Sequence, residues 1–264
     1  MNCMFWNVRG INAPGRKSLI IDTIKRSHPS VVGFQETKKE SLSDSFLKSL
    51  SGAKNFSWHH LPASGTVGGI LMGVDIDVLD VVAWIKLEYS VSCTLKLRGK
   101  DKEFRIITIY GSPYEEGKEA FISELHSLFV ENSIPTLIGG DFNLVRFSTN
   151  KSNGNINRRW SDNFNARVEM WGLMEIKLSS RKYTWANNQS DLIMSTIDRA
   201  FYDTELDAIL PLTSITTLPR CGSDHTPLVW DSGLQVPPKS SSYKMEKWWL
   251  LREDFRDLIT KIWG

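Results

Sequence analysis

The sequence predicts a domain of the α/β (α+β) class, in which two packed β-sheets carry helices on their outer faces. Short apolar runs bounded by turn residues alternate with stretches of helical spacing, and the chain shows neither an internal repeat nor a division into two halves. It has 264 residues, of which 41% are hydrophobic, including 10 tryptophans. A chain of this length and composition can bury one sizeable core.

The strands are predicted from runs of branched and aromatic residues that end at Gly, Pro, Asn or Asp. Alternation at Cys93, Leu95 and Leu97 indicates antiparallel hairpins with one solvated face. The predicted strands cover residues 2–8, 31–34, 56–61, 69–74, 78–86, 89–97, 103–110, 135–140, 183–186, 195–202, 213–218 and 227–230.

The helices are predicted from apolar residues that recur with helical spacing. In the first helix, Leu19, Ile20 and Ile24 share a face before Pro29 stops the pattern. The predicted helices cover residues 16–27, 41–50, 117–130 and 161–171, and the polar, basic residues 146–160 are expected to form a surface loop.

The domain is expected to span residues 1–232. Residues 233–264 are predicted to be a linker and a terminal helix that lead toward a missing C-terminal region. The linker is indicated by the Pro- and Ser-rich residues 236–242. The amphipathic helix has these apolar positions: Trp248, Trp249, Phe255, Leu258, Ile259 and Ile262. A terminal helix that docks on the domain is an equally good interpretation of this segment.

Charge and cysteine usage narrow the class of protein. The net charge is +2, so a basic surface for a polyanion would have to be local. The three cysteines lack the spacing of a thiolate zinc site and favour a reducing compartment, with buried apolar cysteines as the simplest interpretation. Neither a signal peptide nor a membrane span is visible. We therefore expect a soluble intracellular protein without a membrane partner.

Residues 137–143 (LIGGDFN) are the strongest candidate for a chemical site. An apolar run leads into two glycines, and Asp141 and Asn143 then follow with the spacing that places both on one face of extended backbone. Alone, this stretch is better explained by an ordinary turn, since Gly, Asp and Asn are common in turns for conformational reasons. Other polar residues lie at or near strand ends, where open α/β sheets build sites: Asn7, Glu36, Tyr110, Asp198, Asp224 and His225.

In order and residue type, this set resembles the endonuclease/exonuclease/phosphatase superfamily of DNase I-like folds. The matching segments are Trp6–Val8, Gln35–Thr37, Ile109–Tyr110, Gly140–Asn143, Ile197–Arg199 and Ser223–His225. Four longer segments resemble the apurinic-endonuclease-like domains of plant non-LTR retrotransposons, which precede a reverse transcriptase: Trp6–Asn12, Gln35–Lys38, Arg181–Asn188 and Ile197–Ala200. The likeness runs from the first residues to about residue 230.

The resemblance implies a four-layer sandwich, helix/sheet/sheet/helix, that hydrolyses a phosphodiester with the help of Mg²⁺ or, in its place, Mn²⁺. Asp141 would deprotonate the attacking water. Asn143 would donate to a phosphoryl oxygen, and His225 would donate to the phosphate as charge builds. Asp198 would orient and charge that imidazole, while Tyr110 would contact the phosphate or its leaving oxygen.

Three further residues are implied as the metal site. Glu36 is a hard oxygen ligand of the kind that Mg²⁺ prefers. Asn7 would support that ligand or contact the phosphate, and Asp224 would bind the metal directly or through water. The sequence departs from the superfamily at Arg9, where many members have an acidic residue. The arginine weakens one metal contact and adds a candidate phosphate contact.

The expected partner is DNA, together with a reverse-transcriptase region of the same longer protein. Candidate nucleic-acid contacts are Arg9, Lys38, Arg146, Arg181 and Tyr183, which would grip the backbone and insert near a groove. Solvated loops explain these basic residues equally well.

The function predicted is that of a Mg²⁺-dependent endonuclease that nicks DNA for retrotransposon integration, located in the nucleus. One alternative is a superfamily phosphatase acting on inositol phosphates or phospholipid headgroups, and another is a non-catalytic remnant that binds nucleic acid. A triad of Ser223, His225 and Asp198 is disfavoured, because the serine lacks a Gly-x-Ser-x-Gly elbow and the triad leaves Glu36 and Asn143 without a role.

Overall fold

The computed structural model describes residues 1–64, 68–98, 101–130 and 133–234. Within these ranges the strands are β1 (Asn2–Asn7), β2 (Val31–Gln35), β3 (Phe56–Leu61), β4 (Ile70–Asp75), β5 (Leu79–Lys86), β6 (Ser90–Leu97), β7 (Glu103–Tyr110), β8 (Thr136–Asp141), β9 (Met174–Glu175), β10 (Trp185–Ala186), β11 (Met194–Ser195), β12 (Asp198–Tyr202), β13 (Ser214–Thr217) and β14 (Leu228–Asp231). The α-helices are α1 (Arg16–Ser27), α2 (Asp44–Ser51), α3 (Lys118–Val130), α4 (Arg158–Met170) and α5 (Thr204–Ile209).

The strands form two six-stranded mixed sheets and a small two-stranded one. The first large sheet has the order β13-β14-β1-β2-β4-β3, and the second has the order β5-β6-β7-β8-β12-β9. Each contains one parallel pair, β1 with β2 and β7 with β8, and its other pairs are antiparallel. Strands β10 and β11 form the small sheet.

The central strands are apolar on both faces because each face meets a different layer. Phe5 of β1 and Ile106 of β7 belong to the core between the two sheets. The neighbouring Trp6 packs with α1 and α2, whereas Ile107 packs with α3 and α4. Strands buried on both faces explain why the sequence shows continuous apolar runs here and not strict alternation.

The predicted α/β class and the four-layer sandwich are confirmed. Most element bounds agree within a few residues, and the largest difference is the basic loop predicted at 146–160. Helix α4 begins inside that loop at Arg158, because the Asn157 side chain accepts a hydrogen bond from Trp160 N and caps the first turn. Helix α5 was not predicted, although Asp203 caps it in the same way. Its six residues are too short for a periodic pattern.

The prediction for residues 233–264 falls almost wholly outside the described residues, which end at 234. Of the three cysteines, Cys3 and Cys93 are buried as expected, whereas Cys221 is exposed. Among the described residues, no helix is long and apolar enough to cross a membrane.

Candidate active site

The site forms where the two parallel strand pairs end at the same edge of the sandwich. Asn7 ends β1, and Glu36 follows β2 directly; Tyr110 and Asp141 end β7 and β8 as register partners. Because β12 runs antiparallel to β8, its first residue, Asp198, lies opposite Asp141. Strand β14 is antiparallel to β1, so the loop before it, with Asp224 and His225, returns to this edge. Strand direction therefore brings these residues together.

His225 and Asp198 form a buried pair. The Nδ1 atom of His225 lies 3.0 Å from each carboxylate oxygen of Asp198. The Thr184 hydroxyl accepts hydrogen bonds from the backbone N–H groups of Ile197 and Asp198, and Thr184 O accepts from Thr226 N. Thr184 therefore fixes the backbone on both sides of the pair, and Nε2 of His225 is left to face the cleft.

Asp141 lies directly across from that imidazole. Its Oδ2 atom is 3.7 Å from His225 Nε2 and accepts a hydrogen bond of 2.9 Å from Asn7 Nδ2. Burial raises the pKa of Asp141 to about 7, against the opposing effect of the positive charge on His225. Burial alone would lower the pKa of His225, but the charges of Asp198 and Asp141 outweigh it and raise the pKa to about 9. The arrangement pairs a poised base with a protonated imidazole.

Glu36 and Asp224 are the other two carboxylates of the site. Glu36 accepts from Asn7 Nδ2 at 3.1 Å and from the Tyr110 hydroxyl, and it pairs with Lys38 Nζ at 2.9 Å. Burial, followed by the charge of Glu36, raises the pKa of Tyr110, so this hydroxyl keeps its proton. Asn7 presents its amide nitrogen to the carboxylates because its oxygen accepts from the backbone N–H of residue 9. Asn7 thus contacts Glu36 in this structure, and its role toward a metal or a phosphate stays a prediction.

The backbone at this edge is strained. Six non-glycine residues have positive φ among the described residues, and four of them are Arg9, Glu36, Lys38 and Asn143, with φ between 50° and 54°. Asn143 is further held by hydrogen bonds from its backbone N–H to Asp141 Oδ1 at 2.9 Å and from Nδ2 to Gly111 O at 2.8 Å. Such conformations persist where the surroundings over-determine them, and they cluster at functional sites.

These residues open onto a cleft of about 550 Å³. It is lined by Arg9, Glu36, Lys38, Tyr110, Pro113, Tyr114, Asp141, Asn143, Lys151, Trp185, Ser195, Ile197 and His225. Of the predicted DNA contacts, Arg9 and Lys38 line the cleft, whereas Arg181 and Tyr183 do not, and their role stays a prediction. Arg146 lies outside it too, with its guanidinium bound to Glu175 at 2.5 Å and to Asn165 at 2.6 Å. That guanidinium has structural partners, and its contact with DNA also stays a prediction.

Two side chains of the site gave no signal in the sequence. Tyr114 lines the cleft and is 58% exposed. In the sequence it follows a turn and belongs to none of the segments that indicated a site. Lys118 donates to Asn143 O at 3.1 Å and to Ser112 O at 3.2 Å, which ties the two loops together. A single lysine after an acidic turn resembles an ordinary surface residue.

The geometry disfavours the serine triad. Ser223 Oγ donates to Asn7 O at 2.8 Å and accepts from the backbone N–H of His225 at 3.2 Å. The hydroxyl thus joins the last loop to β1, whereas the imidazole nitrogens face two carboxylates.

The sequence profile of the Endonuclease/Exonuclease/phosphatase family matches residues 4–225. The chain belongs to this family. The matched segment begins in β1 and ends at His225, so it contains every residue that lines the cleft, as well as Asn7, Asp198 and Asp224.

Solved structures share the fold at low sequence identity. An AP endonuclease from Leishmania major is 13% identical with a TM-score of 0.68, over 87% of this chain and 86% of its own. The endonuclease domain of TRAS1, a telomere-specific non-LTR retrotransposon, is 14% identical with a TM-score of 0.66, over 87% and 96%. The 3′ phosphatase NExo from Neisseria, bound to a product DNA hairpin, is 15% identical with a TM-score of 0.65, over 88% and 98%. No curated protein matches the chain by sequence.

Members of the family depend on divalent metal, and the donor atoms of this chain fit one. Asp224 Oδ1 is buried without a hydrogen-bond partner among the described residues, and the Glu36 side chain is 13% exposed on the cleft. Asp141, Asp198 and His225 form a second cluster, with ligand atoms within 4.8 Å of one another. The hydrogen bond between His225 and Asp198 occupies part of this cluster, so we favour Glu36 and Asp224 as ligands.

If Asp141 acts as base and His225 as donor, their pKa values predict a bell-shaped pH dependence of the hydrolytic activity that the family supports. A base must be deprotonated, so kcat/KM should rise as pH passes about 7; a donor must be protonated, so it should fall above about 9. Asp198→Asn removes a charge that raises the pKa of His225 and should move the falling limb to lower pH. Steady-state rates from pH 5 to pH 10, in roughly half-unit steps, provide the measurement. If the falling limb of Asp198→Asn lies at the same pH as that of wild type, His225 is not the group that must be protonated.

Proposed function

We propose that this chain is a Mg²⁺-dependent DNA endonuclease of the retrotransposon type. One observation carries the proposal: a buried carboxylate, Asp141, faces a charged imidazole, His225, across 3.7 Å at the bottom of an open cleft. A base and a cationic donor side by side at the bottom of one cleft can both reach a bound phosphodiester, the base toward the attacking water and the donor toward a phosphoryl oxygen. Glu36 and Asp224 supply hard oxygen ligands beside them.

In the proposed reaction, Asp141 takes a proton from the attacking water, whose oxygen bonds to phosphorus. The bond from phosphorus to the 3′ oxygen breaks, which leaves a 5′ phosphate and a 3′ hydroxyl. His225 and the amide of Asn143 donate to the phosphoryl oxygens as negative charge builds. With Glu36 engaged by the cation, the hydroxyl of Tyr110 would turn from Glu36 and donate a hydrogen bond to the leaving oxygen, which takes its proton from solvent. Glu36 and Asp224 would hold the cation, which would supply Lewis-acid stabilisation of that charge when bound.

DNA as the substrate is supported by the charge and shape of the cleft. Its walls combine the cations Arg9, Lys38 and Lys151 with the aromatic side chains of Tyr114 and Trp185. Cationic side chains contact phosphates, and aromatic rings stack on bases. The likeness to a retrotransposon endonuclease domain favours nicking in the service of integration. A following reverse-transcriptase region and a nuclear location are further parts of the proposal.

Nicking of supercoiled plasmid tests the proposal. We expect relaxed circles with Mg²⁺ and none with EDTA. Glu36→Gln removes one charged ligand, so the Mg²⁺ concentration for half-maximal rate should rise by about 10–100-fold. Initial rates across a Mg²⁺ titration give this value.

Glu119→Gln is the matched control, because Glu119 is an exposed residue in the first turn of α3. It should leave the Mg²⁺ dependence unchanged. Intact plasmid alongside inorganic phosphate released from an inositol phosphate would replace the endonuclease with the phosphatase alternative. Without turnover of either substrate, the non-catalytic alternative would be favoured.

A further inference from the structure

Arg9 contacts the two carboxylates that we favour as metal ligands. One guanidinium nitrogen, Nη1, pairs with Asp224 Oδ2, and Nε lies 4.0 Å from Glu36 Oε1. Trp185 Nε1 donates to the same Asp224 oxygen at 2.9 Å. A guanidinium carries its donors in a rigid planar fork, which suits two carboxylates on different loops.

The guanidinium lies on the cleft side of these acids. The Arg9 side chain is 50% exposed, whereas those of Asp224 and Glu36 are 4% and 13% exposed. Glu36 has a second cation in Lys38. Apart from Arg9, the one cationic group within 4.0 Å of the Asp224 carboxylate in the described part of the chain is the His225 imidazole, at 4.0 Å. Asp224 thus relies on Arg9 for its closest charge compensation, and a buried carboxylate left without it is costly.

We infer that Arg9 is an internal counter-ion that competes with the divalent cation for Asp224 and Glu36 and binds phosphate when the cation displaces it. The guanidinium and a cation need the same carboxylate charge, so binding of one weakens the other. Once released, the fork of Arg9 matches two oxygens of a phosphate. The phosphate half of this inference rests on the proposed DNA substrate, whereas the competition does not.

Calorimetric titration of Mg²⁺ into the protein without DNA tests the competition. Arg9→Gln should tighten Mg²⁺ binding by about two- to fivefold, because a competing charge is removed from a partly exposed pair. It should also lower Tm in EDTA, and saturating Mg²⁺ should restore Tm. Arg9→Lys keeps the charge but loses the fork, and its affinity should fall between those of Arg9→Gln and wild type.

Arg26→Gln, at an exposed position near the end of α1, is the matched control and should change neither Mg²⁺ affinity nor Tm. Unchanged Mg²⁺ binding in Arg9→Gln would overturn the inference, because Arg9 would then not compete with the cation. Weakened binding would also overturn it, because Arg9 would then help to position the metal ligands. If Arg9→Gln does not fold, an affinity for Arg9→Lys equal to that of wild type would overturn it.

Salt dependence of DNA binding tests the phosphate half. In an Asp141→Asn background, in which cleavage is expected to be slow, adding Arg9→Gln should reduce the slope of log Kd against log salt by about 0.9 in Mg²⁺ and leave it unchanged in EDTA. If Arg9→Gln reduces the slope equally in Mg²⁺ and in EDTA, Arg9 contacts phosphate whether or not the cation is bound. If the slope changes in neither condition, Arg9 makes no phosphate contact. Either result overturns the inference that the cation releases Arg9 to bind phosphate. If the background protein does not bind DNA, the proposed function fails, and the calorimetry alone decides the competition.

Discussion

Replacing Asp141 with asparagine is expected to lower the turnover of plasmid nicking by about 10²–10⁴-fold, the range that a general base contributes. The substitution preserves the shape of the side chain and removes its ability to accept the proton of water. His225 and the cleft cations remain, so DNA binding should change little. Single-turnover rates with enzyme in excess over plasmid measure the chemical step, and a fluorescence binding assay measures Kd separately.

Stability separates this loss of activity from unfolding. Burial raises the pKa of Asp141 from 3.8 to about 7, so the folded state favours the protonated carboxyl. For an acid with a raised pKa, folding stability is lost as pH rises between these two values and stays low above them. Asp141→Asn removes this cost at pH 8 but has only one oxygen to accept from Asn7 Nδ2 and Asn143 N, so the two effects oppose and its Tm at pH 8 should stay close to that of the wild-type protein.

Asp162→Asn makes the same chemical change at an exposed position of α4 and should leave both turnover and Tm unchanged. Nicking by Asp141→Asn within about threefold of wild type, a loss far smaller than that expected for a base, would assign proton removal to another group.

The convergence of the site could be predicted because it follows from strand direction. Asn7, Glu36, Tyr110 and Asp141 all lie at the ends of apolar runs, and strands in a parallel pair end at the same edge. Asp198 was harder to assign, because its position depends on the antiparallel register with β8. A lone Asp in an apolar strand does not reveal that register.

Contacts between distant loops could not be predicted. The pairing of Arg9 with Asp224 joins residues more than two hundred positions apart, and it requires a positive φ at a non-glycine residue. Arg146 shows the same limit. The DNA contact expected from its place in a basic run stays a prediction, and its pairing with Glu175 in the fold could not be inferred from the sequence. Sequence patterns report which face of an element is buried, and they carry little information about which charges meet across loops.

Gly140→Ala is expected to destabilise the fold by about 2–6 kcal/mol, the sum of backbone strain and overpacking. Gly140 has φ of 138°, a conformation that side chains rarely adopt, and an added Cβ would lie 2.3 Å from Ile109 O of the adjacent strand β7. Backbone cannot rotate away as a side chain can. Urea unfolding at constant m-value gives the free energy, and Tm should fall by about 5 °C or more in a chain of this size.

Gly154→Ala is the matched control, since Gly154 also has positive φ, 67°, but nothing lies within 4 Å of the added Cβ. It should show only the conformational cost, about 1 kcal/mol. Equal destabilisation by the two variants would mean that the contact with Ile109 is relieved without cost.

The position of the clash matters for function, because Gly140 sets the pairing of Tyr110 with Asp141 one residue later. Gly140→Ala should therefore lose nicking activity at temperatures where it is still folded, as the base moves relative to His225.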